Sequence, residues 1–157
     1  MSVKVIAIGN ILMRDDGIGI KIAKEIEEKL LERGIEVIYG ETDLQYSISS
    51  VKEDDYIIIF DAAHYGKNPG EVTFLPLNTF ISNKKGYSQH SYSFLDLLKL
   101  YYPNINGIIY GIEVKEVELG LGLSEFLRKK IKAISKEILS QIDKVLEEKI
   151  IENGDEI

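Results

Sequence analysis

Val3-Lys4-Val5-Ile6-Ala7-Ile8-Gly9-Asn10 is a short, β-branched, apolar run halted by two turn residues. Such a run reads as a strand buried on both faces of a sheet. A loop carrying Asp15 and Asp16 follows, and then Ile22, Ala23, Ile26 and Leu30 recur at helical spacing. Strand, loop and helix in succession make the opening unit of a parallel α/β sheet. Gly34 closes the helix, and Ile35 to Tyr39 reads as a second strand ended by Gly40.

The alternation continues along the chain. Leu44 to Val51 reads as a short helix, and Tyr56 to Phe60 is the most strand-like run, stopping at Asp61. The turn-rich Gly66-Lys67-Asn68-Pro69-Gly70 leads into Glu71 to Leu75, which reads as an antiparallel edge strand, and Asn78 to His90 is polar. Ser93 and Asp96 have capping-box spacing ahead of a helix with Phe94, Leu95, Leu98 and Tyr101 on its buried stripe, ended by Pro103. Ile108 to Val114 reads as a further strand. From Ser124 onward, Leu127, Ile131, Ile134, Ile138, Ile142 and Val145 mark a long amphipathic helix. The expectation is a three-layer α/β fold: a mostly parallel, twisted sheet of about five strands with one antiparallel edge strand, and helices on both faces. Residues 1–150 read as a single domain and 151–157 as a frayed tail.

Composition narrows what such a domain can do. With 157 residues, 45% hydrophobic and 29% charged, the chain can bury a core of its own. Its 19 Lys+Arg against 26 Asp+Glu leave a net charge of −7, which disfavours a nucleic-acid partner. There is no Cys, so a metal would be held by carboxylate oxygen and imidazole nitrogen. The N-terminus lacks a basic region with a cleavage site, and no apolar run approaches the ~20 residues of a membrane span. A cytoplasmic protein with no membrane partner is expected.

In an open parallel sheet, ligands bind beyond the carboxyl ends of the strands. That rule puts Asp16, Glu41, Asp43 and Asp61 on the functional edge, and Asp54 and Asp55 in a solvated turn at the opposite one. The plain alternative for Asp15-Asp16 is helix capping, and for Asp61 a turn that ends a strand. His90 lies in the loop before a helix that returns to the same edge. Two carboxylates and an imidazole from three segments suit a borderline divalent ion such as nickel or zinc. His64 is an alternate ligand. The glycines after the first strand do not have dinucleotide-loop spacing, and no P-loop, nucleophile elbow or H-E-x-x-H is present.

Gly9-Asn10-Ile11-Leu12-Met13-Arg14-Asp15-Asp16-Gly17-Ile18-Gly19 resembles the G-N-x-L-x-x-D-[DE]-x-x-G signature of the nickel-iron hydrogenase maturation endopeptidases. Phe60-Asp61-Ala62 with the turn at 66–71 resembles that family's D-A segment, especially in its hydrogenase-3-type branch. His90 before Phe94-Leu95-Asp96-Leu97-Leu98 resembles its pre-helix histidine. Gly111-Ile112-Glu113-Val114, with Gly120 and Leu123-Ser124, is similar to its G-I-x-P…G…L-S stretch, Val114 standing where the family has Pro. The resemblance implies an endopeptidase that removes the C-terminal extension of a hydrogenase large-subunit precursor once nickel is inserted. It implies Asp16, Asp61 and His90 as nickel contacts of an aspartic-type endopeptidase, with the nickel supplied by the precursor and no organic cofactor; for the attack on the peptide two routes stay open, nickel polarising the carbonyl or a water, or Asp16 or Asp61 as general base. The alternatives are a checkpoint or chaperone that binds the precursor without cutting it and, less favoured, a nucleotide-handling α/β enzyme.

Overall fold

A computed structural model describes residues 2–80 and 86–154. Its elements are β1 (Val3–Ile8), α1 (Ile18–Glu32), β2 (Glu36–Glu41), α2 (Leu44–Ser49), β3 (Tyr56–Ala63), β4 (Val72–Pro76), α3 (Leu77–Phe80), α4 (Gln89–Tyr101), β5 (Asn106–Glu113) and α5 (Glu125–Gly154). A single 3-10 turn, Arg14–Gly17, precedes α1. The strands form one sheet in the order β2-β1-β3-β5-β4, parallel except for β4, which runs antiparallel along β5.

The two-residue period of the strands sorts the core into two layers. Val5, Ala7, Ile58, Phe60, Tyr110 and Ile112 meet α1 and α5 on one face. Ile6, Ile8, Ile57, Ile59 and Ile109 meet α2, α3 and α4 on the other. The helical stripes read from the sequence point inward: Ile22, Ala23, Ile26 and Leu30 on α1, and Leu127, Ile134, Ile138 and Ile142 on α5, are all buried. Tyr101 is the exception, exposed at the end of α4.

Several expectations need correction. β3 does not stop at Asp61 but pairs with β5 through Ala63, because Asp61 lies opposite Gly111 with its carboxyl satisfied on the α4 side. Helix α4 starts four residues before Ser93. Ser88 is its N-cap, so no capping box is formed by Ser93 and Asp96, and His90 lies in the first helical turn rather than in a loop. Asp55 is not solvated: it is buried, pairs with Lys4 at 2.7 Å and accepts the Lys52 N–H at 2.7 Å. At the C-terminus α5 runs on to Gly154, past the expected boundary at 150, and residues 155–157 lie outside the described residues.

This strand order creates one topological switch point. From β1 the chain crosses by α1 to β2 on one side, whereas from β3 it proceeds to β4 and β5 on the other. The helices after β1 and β3 therefore lie on opposite faces, and the carboxyl ends of those neighbouring strands mark the position at which open α/β sheets bind ligands.

Candidate functional site

Asp16 and Asp61 stand at this switch point, one in the turn after β1 and the other near the end of β3. Two glycines permit this placement. Gly9 has φ +146°, and a Cβ there would stand 2.2 Å from the Asp16 carbonyl oxygen. At Gly19 a Cβ would stand 2.5 Å from the Phe60 carbonyl oxygen and 3.1 Å from the Asp61 nitrogen. The first lets the 3-10 turn fold back over the end of β1, and the second lets the start of α1 press on the β3 backbone at Asp61. Both requirements are steric and admit no side chain.

The adjacent aspartates of the turn have different tasks, and neither caps α1, whose N-cap is Gly17 without a side-chain bond. Asp15 is fully buried. Its Oδ2 accepts the backbone N–H groups of Lys115 (3.1 Å) and Glu116 (2.8 Å), and its Oδ1 accepts that of Ser124 (2.7 Å). It thereby welds the 115–124 loop and the start of α5 onto the β1 loop. Backbone bonds from Gly120 to Leu12 and from Arg14 to Gly120 reinforce the weld. Asp16 turns the other way, its Oδ2 accepting the Asn10 N–H at 2.8 Å.

Asp61 is 1% exposed, in the middle of a strand whose other residues are almost all apolar. Its Oδ1 accepts the Ala62 N–H at 2.8 Å, and its Oδ2 accepts the Ser91 hydroxyl of α4. Burial holds its carboxyl well above the usual carboxylate range. The Ser91 bond opposes that shift, the negative charge of Asp16 adds to it, and the Ala62 N–H opposes it. The effect of Asp16 on Asp61 shows that one carboxylate lies in the field of the other. Nearby, burial above all, and then Tyr65 and Asp61, raise the Tyr87 phenol above its usual range.

A pair of buried carboxylates in mutual repulsion is a donor set that a divalent cation would relieve on both counts, desolvation and like charge. Among the described residues no three His, Asp or Glu side chains are gathered into a metal-holding cluster. The third donor named by the sequence, His90, immediately precedes Ser91 in α4, and its side chain lies outside the described residues. His64 is exposed just past β3. Glu41 and Asp43 are on the expected edge but exposed, and Asp43 caps α2 by accepting the Tyr46 N–H at 3.0 Å.

Residues 20–141 match the family model described as HycI, hydrogenase maturation protease. The chain belongs to this protease family. Among its relatives, a protein of Methanocaldococcus jannaschii, provisionally described as a hydrogenase maturation protease, is 29% identical over 147 residues, 89% of this chain and 96% of that one. The [NiFe] hydrogenase maturation protease HybD from Thermococcus kodakarensis is similar in structure, with TM-score 0.72 and 28% identity over 92% of this chain and 99% of that one. The E. coli maturating endopeptidase HybD shares the fold, with TM-score 0.75 and 23% identity over 92% of this chain and 94% of that one. As a member of the family the chain is a hydrolase of peptide bonds. The three-layer sheet with one antiparallel edge strand is the architecture expected for it.

Three residues at or beside this candidate site have no task assigned in the sequence. Ser91 and Asn10 act through hydrogen bonds to the two aspartates, and Glu113 accepts the Tyr65 N–H on both carboxylate oxygens at 3.0 Å. Ser91 had one legible signal, its three-residue spacing from Ser88, since a Ser three residues after another is compatible with a helix N-cap. Asn10 and Glu113 stood inside quoted motifs without an assigned task.

Proposed function

We propose that this protease removes the C-terminal extension of a nickel-iron hydrogenase large-subunit precursor, in the cytoplasm, and recognises the precursor by its nickel. The observation that carries the reading is the pair of buried carboxylates, Asp16 and Asp61, converging at the switch point of a maturation-protease fold. In this reading Asp16, Asp61 and His90 contact the ion. It arrives with the substrate, so the cysteine-free chain supplies oxygen and nitrogen donors to a metal whose thiolates belong to the partner. Bound there, nickel would supply an anchor for the precursor and a positive charge beside the scissile region. The Asp16–Asp61 pair takes the proton of the attacking water and returns it to the nitrogen as the C–N bond breaks, leaving a new C-terminal carboxyl group on the subunit and a free amine on the released peptide.

A polypeptide substrate also needs surface to lie on. Ile11, Leu12, Val117, Leu119 and Leu121 are exposed, the last two at 81% and 76%, on the two loops that Asp15 welds together beside Asp16. Their rigid presentation next to the carboxylates supports a peptide-binding face in this place.

The test is incubation of the purified protein with nickel-loaded and nickel-free precursor, read by intact-mass spectrometry. Shortening of the loaded precursor alone, abolished in Asp16→Ala and His90→Ala variants that keep their fold, is the expected result. Equal cleavage of both precursors would refute nickel recognition, and full activity in both variants would refute the site. A loaded precursor that binds but is never shortened would favour a checkpoint that does not cut.

A further inference from the structure

Asp61 is held by two donors, one on each oxygen. The Ala62 N–H on Oδ1 is local and comes with the strand. The Ser91 hydroxyl on Oδ2 comes from another element, 30 residues away, and is itself 1% exposed. Toward an ionised carboxylate a hydroxyl can only donate. The single Ser91 proton is thus committed to Asp61, and in the 2.8 Å contact between the Ser88 and Ser91 hydroxyls Ser88 is the donor. Ser88 is the N-cap of α4, and its side chain accepts the Ser91 N–H. A hydroxyl chain therefore runs from the cap of α4 through Ser91 to the carboxylate, and His90 stands within the turn that this chain ties down.

We propose that Ser91 is a positioning residue: its hydroxyl sets the orientation of the Asp61 carboxylate and holds the His90-bearing turn of α4 against it, so that both are pre-set for a divalent ion. The inference rests on the reading of Asp61 as a metal contact. Three physical arguments support it. A carboxylate with a donor on each oxygen has lost its freedom to rotate, so little ordering remains when an ion binds. Ligating carboxylates are commonly held by hydrogen bonds in this way, and loss of such a partner weakens metal binding by about 10- to 100-fold. Ser91 is buried between sheet and helix, so solvent would not replace its hydroxyl without a rearrangement of the turn.

The experiment is calorimetric titration of nickel sulfate into the full chain as wild type, Ser91→Ala, Ser91→Thr, Ser91→Val and Ser88→Ala, with thermal melts to confirm folding. Ser91→Ala and Ser91→Val should bind nickel about 10- to 100-fold more weakly than wild type, and Ser91→Thr, which restores the hydroxyl, within about threefold of it. Ser88→Ala is the structural control. It should lower the melting temperature through loss of the cap and weaken nickel binding less than Ser91→Ala does, because the Ser91–Asp61 bond remains. Wild-type affinity in Ser91→Ala would overturn the inference and leave the metal-site reading standing. Equal losses in Ser91→Thr and Ser91→Val would also overturn it, by showing that shape and not the hydroxyl matters, and this pair decides the matter should Ser91→Ala not fold. Absence of nickel uptake by the wild type would overturn the inference, which needs a pre-set site, and leave the reading of nickel delivered by the precursor to the cleavage assay above.

Discussion

Replacing Asp15 by Ala takes away an acceptor that three backbone N–H groups share. Lys115 and Glu116 are exposed, so water can take over their donors, which leaves a net loss of ~0.5–1.5 kcal/mol for each exchanged bond. Ser124 is 2% exposed, and its orphaned N–H at the start of α5 costs ~1–3 kcal/mol. Together the loss is about 3 kcal/mol, which for a domain of this size lowers the melting temperature by roughly 6–12 °C. Thermal unfolding followed by circular dichroism measures this. Hydrogen exchange should show the loss concentrated at Ser124 and Gly120, because those amides join the 115–124 loop to its neighbours. Asp16→Ala is the control, losing the Asn10 bond for ~1 kcal/mol of stability while abolishing cleavage. If Asp15→Ala melted within about 2 °C of wild type, or Asp16→Ala were the more destabilised of the two, the division of labour between these aspartates would be wrong.

Three further outcomes follow from the geometry. Asp61 has a folded-state pKa above its ordinary value of 3.8, so the stability it allows is fully present below that value and is lost as pH rises through the folded pKa. Asp61→Asn should consequently exceed wild type in urea-denaturation stability at neutral pH, and the difference should vanish under acid conditions. A variant weaker than wild type at neutral pH would contradict the assigned direction. Gly19→Ala forces a Cβ against the Phe60 carbonyl oxygen and should cost about 1–3 kcal/mol by chemical denaturation, with reduced cleavage because Asp61 is displaced; a neutral effect would mean that α1 can move away. Leu119→Asp combined with Leu121→Asp should leave the melting temperature within about 2 °C of wild type, since both side chains are exposed, while weakening capture of the precursor in a binding assay. Undiminished capture would place the peptide elsewhere.

Much of the fold was legible from periodicity. The apolar runs at 3–8 and 56–60 and the stripes of α1 and α5 repeat at the intervals that strands and helices impose, and every one of those elements is present. The errors fell at ends and at polar residues inside elements. Asp61 looked like a strand terminator because a carboxylate is seldom tolerated within a buried strand, and its tolerance there depends on a hydroxyl from α4 that no local pattern discloses. Ser93 and Asp96 place the start of α4 five residues late because they have the spacing of a cap, as do Ser88 and Ser91, and only packing of the helix on the sheet chooses between them. Asp55 reads as solvated because its partner, Lys4, is distant in sequence and lies on a neighbouring strand.

By itself, the sequence determined the α/β class, the approximate extents of strands and helices, the exclusion of thiolate chemistry, and the nomination of Asp16, Asp61 and His90 as one group. These properties depend on local spacing, on residue inventory and on motif order along the chain. Tertiary structure decided which of two neighbouring aspartates is a weld and which is left to the switch point beside Asp61, since that depends on backbone N–H groups about a hundred residues away. It also decided that Asp61 is buried within its strand and tied to α4. A hydrogen bond between distant segments leaves no periodic trace in either of them, and burial, which raises the pKa of Asp61 and makes each of its donors matter, comes into being only when sheet and helix close around it.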